Sequence, residues 1–400
     1  MQISPDWLHE RSLQLIMERF HSQGFEVYCV GGCVRDALLG ENCSDIDLAT
    51  NARPHDLPKI FGTKPWTGDG NMFVSEEGFS LYPTGVAHGT WTVKHGERTF
   101  EVTSYRKDVD TDGRRATVLF ADTMEEDAER RDFTFNALYM DRWGEVFDPT
   151  GTGIADLYKG LVRFVGSAQE RVAEDYLRIL RYFRFYARFG RGEPDREAFV
   201  ACQQGARFLP KKVSKERIWD EFGKILRLYS LSEALWQMQS AGVLALFSGT
   251  TTHALSHVLF RERLFFLEPN WVARYVAIFG KSEDFPMSNA DRKKIRAAND
   301  AVGAYLLPQA ALAHKYGEDA ATSACLLTAR EYRSSEIMRG SVAEMPLSSK
   351  DLINSGVEPG PAMGKLLSIA KDYWYSTDLR ANKESLLRTA FDELEHTDGS

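Results

Sequence analysis

The chain has 400 residues, of which 43% are hydrophobic, and a formal net charge of −8 at pH 7. At about 150 residues per domain, this length predicts two or three domains, each large enough for its own core. No run approaches the roughly 18 apolar residues of a membrane span, which argues against a membrane protein.

The cysteines and the first residues bear on the compartment. The five cysteines show no metal-ligand spacing, and reduced, mostly buried thiols are typical of a cytoplasmic chain. Residues 1–7 lack the basic and apolar regions of a secretory signal. We therefore expect a cytoplasmic protein.

Net acidity does not exclude a nucleic-acid partner, because only the local field at the docking face matters. Basic residues cluster at 171–191, 211–217 and 292–296. These clusters predict a strongly dipolar surface.

The first predicted elements are a helix and a strand. Apolar residues recur at helical spacing between Leu8 and Phe20, which predicts an amphipathic helix packed on a sheet. Phe25, Val27 and Cys29 then alternate with polar or turn-facing neighbours, as in a strand.

A glycine turn follows this strand. Gly31 and Gly32 permit a tight turn whose N–H groups could approach a bulky anion. Val34 to Leu39 is typical of a short helix closed by Gly40, which would place a helix N-terminus at the same point.

Two carboxylates come next. Asp45 and Asp47 lie two residues apart, so on a strand they would share a face while Ile46 and Leu48 point into a core. A Gly-Gly turn or an Asp-x-Asp pair alone is weak evidence. Together, a phosphate cradle and paired carboxylates indicate magnesium-dependent phosphate chemistry.

A β-hairpin is predicted between Thr90 and Tyr105, with its turn at His95-Gly96. On its second strand, Phe100 and Val102 share one face and Glu101 lies on the other face. Glu101 is therefore either a third carboxylate of the site or a solvated strand residue. Residues 106–115 are charged and without periodicity, and we expect a mobile loop that could gate the site.

Arg130, Arg131 and Asp132 are adjacent. They could pair among themselves, or one arginine could reach a triphosphate or a base while Asp132 orients it. Beyond about residue 150, helical periodicity replaces strand alternation, which predicts an all-α second part.

The stretch from Glu174 to Phe185 is predicted as one helix. Asp175, Arg178, Arg181 and Arg184 recur every third residue on an otherwise apolar helix, so they form a narrow charged stripe. The stripe is either solvated, with a weak Glu174–Arg178 pair, or it lines a cleft; we favour the cleft. Asp175 with Arg178 could present a hydrogen-bonding edge to cytosine or adenine, whereas uracil and guanine carry no exocyclic amine at the position that Asp175 would bind.

In this order and spacing the motifs resemble the signature of class II tRNA nucleotidyltransferases, the CCA-adding enzymes, within the tRNA nucleotidyltransferase and poly(A) polymerase family. The resemblance is specific over residues 25 to 226 and weak thereafter. Tyr176 and Phe135 depart from the residues common in the family. The motifs are Gly31-Gly32-x-Val34-Arg35-Asp36, Asp45-x-Asp47, Arg130-Arg131-Asp132-Phe133-Thr134-x-Asn136-Ala137, Asp148-Pro149-x-Gly151, Glu174-Asp175-x-x-Arg178-x-x-Arg181 and Ser214-Lys215-Glu216-Arg217-Ile218.

The resemblance implies an α+β fold: a polymerase-beta-like head with a mixed sheet (1–148), followed by an all-α neck (149–210), body (211–283) and tail (284–400). It implies that Asp45 and Asp47 hold Mg²⁺, and that residues 105–116 match the flexible loop that allows the change from C to A addition. It further implies that Asp175 and Arg178 select C and A. The implied nucleotide-binding residues are Gly32, Arg35, Arg131, Asp175, Arg178, Arg181 and Arg184.

The predicted reaction is therefore transfer from CTP and ATP to the 3′ end of tRNA, catalysed by Asp45 and Asp47 with Glu101 as a possible contributor. The basic clusters at 211–217 and 292–296 would hold the acceptor stem and elbow of the tRNA. A poly(A) polymerase, a CC-only or A-only enzyme, and a catalytically silent RNA-binding protein remain as alternatives. The oligomeric state stays open.

Overall fold

The computed structural model describes residues 1–43, 45–65, 72–111, 116–246, 252–282, 285–328 and 330–398. The chain folds as two compact units. One comprises Met1–Ser214 with Gln237–Val243, and the other comprises Lys215–Trp236 with Leu244–Ser400. The predicted α+β architecture, a mixed sheet followed by helices, is confirmed. The division into head, neck, body and tail stays a prediction.

Strands of the described residues all belong to the first unit. Nine form one sheet in the order β11-β10-β1-β2-β7-β6-β5-β4-β3, and two form a separate hairpin, β8-β9. The strands are β1 (Val27–Val30), β2 (Asp47–Thr50), β3 (Lys64–Pro65), β4 (Phe73–Val74), β5 (Phe79–Gly85), β6 (Thr90–His95), β7 (Arg98–Ser104), β8 (Arg106–Thr111), β9 (Ala116–Phe120), β10 (Tyr139–Met140) and β11 (Val146–Phe147).

One pairing in the large sheet decides where the carboxylates lie. β2 and β7 run parallel, whereas the other described pairs of the sheet are antiparallel. The predicted hairpin is confirmed as β6–β7. Phe100 and Val102 are buried and Glu101 is exposed, which is the predicted alternation.

Residues 106–111 differ from the predicted loop. Residues 106–111 form β8, which pairs with β9 in an antiparallel hairpin. Residues 112–115 lie outside the described residues. The prediction was wrong for β8 because charged residues without apolar alternation can form an edge strand when a neighbouring strand supplies the hydrogen bonds.

The first unit also contains helices. The predicted helix between Leu8 and Phe20 is present as α1, although Leu8 itself lies in a preceding 3₁₀ turn, Asp6–His9. The helices are α1 (Arg11–Ser22), α2 (Gly32–Leu38), α3 (Leu57–Ile60), α4 (Met124–Glu129), α5 (Gly153–Lys159), α6 (Ala168–Glu174), α7 (Arg178–Phe189), α8 (Arg196–Gly205) and α9 (Leu209–Lys212).

The regular structure among the remaining described residues is helical, as predicted. No described helix is long and apolar enough to cross a membrane. The helices are α10 (Lys215–Leu226), α11 (Ser232–Ser240), α12 (Thr252–Leu264), α13 (Trp271–Phe279), α14 (Asn289–Gly303), α15 (Gln309–Tyr316), α16 (Glu318–Leu327), α17 (Ser334–Ser341), α18 (Ser349–Asn354), α19 (Pro361–Ser376) and α20 (Lys383–Asp398).

Two apolar clusters position the functional elements. Met124 and Ala128 of α4 share a buried cluster with Ala49 of β2, so α4 packs on the face of the sheet that carries Asp47. The ring of Phe185 on α7 packs edge-on against the ring of Phe133 at 5.3 Å between centroids, and this contact holds α7 against the segment after α4.

The second unit contains a buried ion pair. Arg274 of α13 and Glu262 of α12 are 2% and 4% exposed, and their side chains meet at 2.7 Å. Arg274 also donates to the carbonyl oxygens of Leu226 and Leu228. This arginine therefore joins α12, α13 and the end of α10.

Candidate active site

The three predicted carboxylates lie on two adjacent parallel strands. Asp47 begins β2 and stands directly opposite Glu101 of β7, and Asp45 precedes β2 by two residues. All three are exposed, whereas Ile46 and Leu48 are 3% and 0% exposed. The predicted alternation is confirmed, and the structure brings Glu101 to Asp47.

The pKa of Asp47 is raised by desolvation and by the neighbouring carboxylates. Desolvation, followed by the charge of Glu101, raises the pKa of Asp47 to about 6; Asp45 adds to the shift and Arg131 opposes it. Like charges held close together in this way favour a bound cation.

The donor set fits a hard divalent ion. Among the described residues, no three His, Cys, Asp or Glu side chains are placed to hold a metal by themselves. Mg²⁺ is commonly bound by one or two carboxylates together with waters and substrate phosphates. Asp45 and Asp47 match that chemistry.

The predicted strand–turn–helix lies beside these carboxylates. Gly31 has a φ of +76°, a conformation that favours glycine, and α2 begins at Gly32, two residues earlier than predicted. The Gly31 N–H donates to the carbonyl oxygen of Leu138. The idea that this N–H approaches an anion is therefore wrong, and the first-turn N–H groups of α2 are the remaining donors.

Arg35 is inside the protein. It is 5% exposed; its Nε donates to Asp36 at 2.8 Å and its Nη1 to the side-chain oxygen of Asn136 at 2.7 Å. Burial lowers the pKa of Arg35, an effect that Asp36 opposes. In this structure Arg35 stabilises the glycine turn through Asp36 and Asn136. Its direct contact with a nucleotide stays a prediction.

Arg131 has a different partner from the one expected. Its Nη2 lies 2.8 Å from the carboxylate of Asp127, which also binds Arg130 and Tyr139. The expectation that Asp132 pairs with or orients one of the two arginines does not hold for Arg131, because Asp127 lies one helical turn earlier and binds it. The i,i+4 spacing of Asp127 and Arg131 was the signal that could have identified this pair.

Asp132 instead binds the arginine stripe. Its Oδ2 accepts from Arg181 Nε at 2.7 Å, and its Oδ1 accepts from the side-chain amide of Asn136 at 3.1 Å. Asn136 also accepts from Arg35. One polar chain thus connects α7 to the glycine turn.

The charged stripe does not lie on one helix. α6 ends at Glu174, Asp175 is extended (φ −147°, ψ 103°), and α7 begins at Arg178. The single-helix prediction was wrong because the Asp175 side chain accepts from the N–H of Leu177, which favours a turn over helix. Asp175 therefore lies at the entrance to α7, three residues before Arg178.

Arg178 is held at the junction of the two helices. Its Nη1 lies 2.6 Å from Glu174, the pair considered in the sequence, and donates to the carbonyl oxygen of Arg171 at 2.9 Å. Its Nη2 donates to the carbonyl oxygen of Arg130 at 3.1 Å. Arg178 thus ties the α6–α7 junction to the Arg130-Arg131 segment.

Positive charge is concentrated around one ring. The guanidinium carbons of Arg184, Arg35 and Arg181 lie 4.1, 5.2 and 5.6 Å from the centroid of Phe185. Arg184 also lowers the pKa of Arg35. A cluster of guanidinium groups of this kind favours a polyanion such as a triphosphate.

Most of the predicted tRNA-docking side chains are exposed, although Arg292 is half-buried. Lys211 and Lys212 are exposed in α9, and Lys293, Lys294 and Arg296 are exposed on α14. Their contact with tRNA stays a prediction.

The chain is similar to known proteins along much of its length. Residues 27–163 match the family described as Poly A polymerase head domain. The chain is 32% identical over 408 residues to CCA tRNA nucleotidyltransferase 1, mitochondrial, of Danio rerio, covering 94% of this chain and 89% of the relative. It is 42% identical over 214 residues to the CCA-adding enzyme of Streptococcus pneumoniae, covering 53% and 48%.

Solved structures show the same fold. The Bacillus stearothermophilus CCA-adding enzyme in complex with CTP has a TM-score of 0.72 at 25% identity, covering 96% of this chain and 98% of that one. The Thermotoga maritima CCA-adding enzyme complexed with tRNA has a TM-score of 0.68 at 19% identity, covering 98% and 97%, and shows the fold alone. Identity along nearly the whole of both chains assigns the family: this chain belongs to the CCA tRNA nucleotidyltransferases.

Proposed function

We propose that this protein adds C, C and A to the 3′ end of tRNA from CTP and ATP. The observation that carries the proposal is the pairing of Asp47 with Glu101, beside Asp45 and within electrostatic reach of Arg131. This site lies in a chain that aligns along nearly its whole length with CCA tRNA nucleotidyltransferases.

The reaction is attack of a 3′-hydroxyl oxygen on the α-phosphate. A bond from that oxygen to the α-phosphorus forms, the bond to the bridging oxygen of the β-phosphate breaks, and pyrophosphate leaves with the electron pair. Two Mg²⁺ ions held by Asp45 and Asp47 would supply activation of the hydroxyl and charge neutralisation on the leaving group. Glu101 adds negative charge next to Asp47 and so strengthens the hold on a cation.

The arginines bind the nucleotide in this proposal. Arg181 and Arg184 lie around Phe185 and provide positive charge for the triphosphate, and the first turn of α2, from Gly32, provides N–H donors. Arg35 holds that turn through Asn136. Arg131, whose charge acts on Asp47, would add to the positive charge that holds the nucleotide.

Base selection falls to Asp175 and Arg178. Both lie at the junction of α6 and α7, where Asp175 could accept from an exocyclic amine. Arg178 is bound to Glu174 in this structure, so reading a base requires that Arg178 turn part of its guanidinium from Glu174 toward the base. Uracil and guanine would leave Asp175 unpaired, at a cost of about 1–3 kcal/mol.

The helical parts would dock the tRNA. We assign residues 149–210 as neck, 211–283 as body and 284–400 as tail, with the basic residues of 211–217 and 292–296 on phosphates. We also propose a cytoplasmic location, although similar relatives include proteins named as mitochondrial.

A poly(A) polymerase is the second candidate, because the matched head family, residues 27–163, carries that description. The test is to incubate tRNA lacking its 3′ end with CTP, ATP or both, and to sequence the products. We expect CCA ends when both are present. CC alone, A alone or a long A tract would each indicate a different enzyme. If the tRNA is not extended, the remaining alternative is a catalytically silent RNA-binding protein.

A further inference from the structure

Asp127 on α4 is a buried carboxylate with no role in the reaction described above. It is 1% exposed, and its two oxygens accept from three side chains. Oδ2 accepts from Arg131 Nη2 at 2.8 Å and from the Tyr139 hydroxyl at 2.7 Å, and Oδ1 accepts from Arg130 Nε at 2.8 Å. These charged donors keep the pKa of Asp127 below its usual range despite its burial.

The guanidinium of Arg131 is oriented by these contacts. Its Nε donates to Tyr139 at 3.1 Å as well as to Asp127, so the side of the fork that carries Nε and Nη2 is occupied by one carboxylate and one hydroxyl. The third nitrogen, Nη1, lies 3.6 Å from the position that a Cβ on Gly31 would take. Asp127 thus directs the opposite side of Arg131 toward the glycine turn, and the charge of Arg131 reaches Asp47.

The same carboxylate contacts the base of the β8–β9 hairpin. The N–H of Arg106, the first residue of β8, donates to Asp127 Oδ1 at 3.3 Å. The other end of the hairpin is followed at once by α4, which begins three residues after Ala121. The Ala121 N–H donates to the Tyr105 carbonyl oxygen, so the two ends of the hairpin lie side by side. Both ends of the hairpin therefore meet at the helix that carries Asp127.

We propose that Asp127 is a positioning residue that fixes the guanidinium of Arg131 toward the nucleotide and joins it to the base of the β8–β9 hairpin. The inference rests on the proposed function, in which Arg131 binds the nucleotide. Asp127 touches neither substrate nor reacting atoms, and it acts through Arg131.

A double-mutant cycle tests the first part. Asp127→Asn keeps the shape but offers one acceptor oxygen and an NH₂ group where Arg131 needs acceptors, so KM for CTP and ATP should rise about tenfold, the size expected when a charge-assisted hydrogen bond is lost. In the Asp127→Asn/Arg131→Ala double variant, KM should equal that of Arg131→Ala alone, because the guanidinium that Asp127 orients is already absent. Glu129→Gln, an exposed carboxylate on the same helix, is the matched control and should leave KM unchanged.

The outcomes separate this inference from the proposed function. If the increases in KM caused by the two changes multiply in the double variant, Asp127 does not act through Arg131 and has a general structural role instead. An unchanged KM in Arg131→Ala would overturn the assignment of Arg131 and this inference with it, while CCA addition would still stand or fall by product sequencing. If Asp127→Asn fails to fold, as judged by circular dichroism, Tyr139→Phe takes its place, since it removes only the hydroxyl shared by Asp127 and Arg131.

Hydrogen exchange tests the link to the hairpin. Saturating CTP should slow exchange of the Arg106 amide in the unaltered protein, because a bound nucleotide steadies Arg131 and, with it, Asp127. The slowing should be absent in Asp127→Asn. Equal slowing in both proteins would overturn the link.

Discussion

Asp132→Asn tests the polar chain between α7 and the glycine turn. Asp132 is 9% exposed, and its Oδ2 accepts from both Nε and Nη2 of Arg181, at 2.7 and 2.5 Å. Asparagine can keep Oδ1 for Asn136 and the Phe133 N–H, but its NH₂ group would face the two donors of Arg181. The change removes charge and acceptors while keeping volume.

The cost follows from burial. Removing one partner of a fully buried pair costs about 3–5 kcal/mol, but the side chain of Arg181 is 33% exposed and can reach water. We therefore expect a loss of about 1–3 kcal/mol in the free energy of unfolding at pH 7. Because Arg181 is also released, KM for CTP and ATP should rise.

The pH dependence has a definite sign. Arg181 and the amide of Asn136 lower the pKa of Asp132 despite burial, so its stabilising contribution is present above the unfolded pKa of about 4 and is lost as pH falls through the lower folded pKa. The difference between the two proteins should be constant from pH 7 to 5 and shrink only below about pH 4.

Urea unfolding at several pH values measures this difference. Asp122→Asn is the matched control, since Asp122 also pairs with an arginine, Arg53, but its side chain is 84% exposed. That control should change stability by less than about 0.5 kcal/mol. If Asp132→Asn behaves like Asp122→Asn at pH 7, the polar chain does not stabilise the fold and the reasoning fails.

Two further changes test the account, one in each unit of the chain. Asp45→Ala should abolish nucleotide incorporation, because Asp45 is proposed to bind the metal ion. The thermal unfolding temperature should not change, because Asp45 is exposed; incorporation by a correctly folded variant would refute the metal assignment. Glu262→Ala should destabilise the second unit by about 3–5 kcal/mol in urea, since it leaves Arg274 charged and buried; a stability within 1 kcal/mol of the original would contradict this.

Local pattern predicted the elements that carry the carboxylates. Alternation of apolar and charged residues around Asp47 and Glu101 indicated two strands, and both exist. Their parallel pairing could not be predicted, because register between strands more than fifty residues apart depends on tertiary packing. For that reason the role of Glu101 was left open in the sequence.

Two of the errors in the sequence predictions share a cause. Apolar periodicity continues through residues 174–185, but a side-chain to backbone hydrogen bond at Asp175 outweighs it and separates α6 from α7. The partner of Arg131 was missed because adjacency to Asp132 was preferred over the helical spacing to Asp127. Both errors concern hydrogen bonds of single side chains, which periodicity does not reveal.

The central claim is that the carboxylates form the bond while Asp175 and Arg178 choose the base. Incorporation of each of the four NTPs onto tRNA ending in CC, by the unaltered protein and by Arg178→Ala, tests it most directly. We predict that the unaltered protein adds A, and that Arg178→Ala remains active but loses about tenfold or more of its preference over the other bases. Undiminished selectivity in an active Arg178→Ala variant would contradict the account.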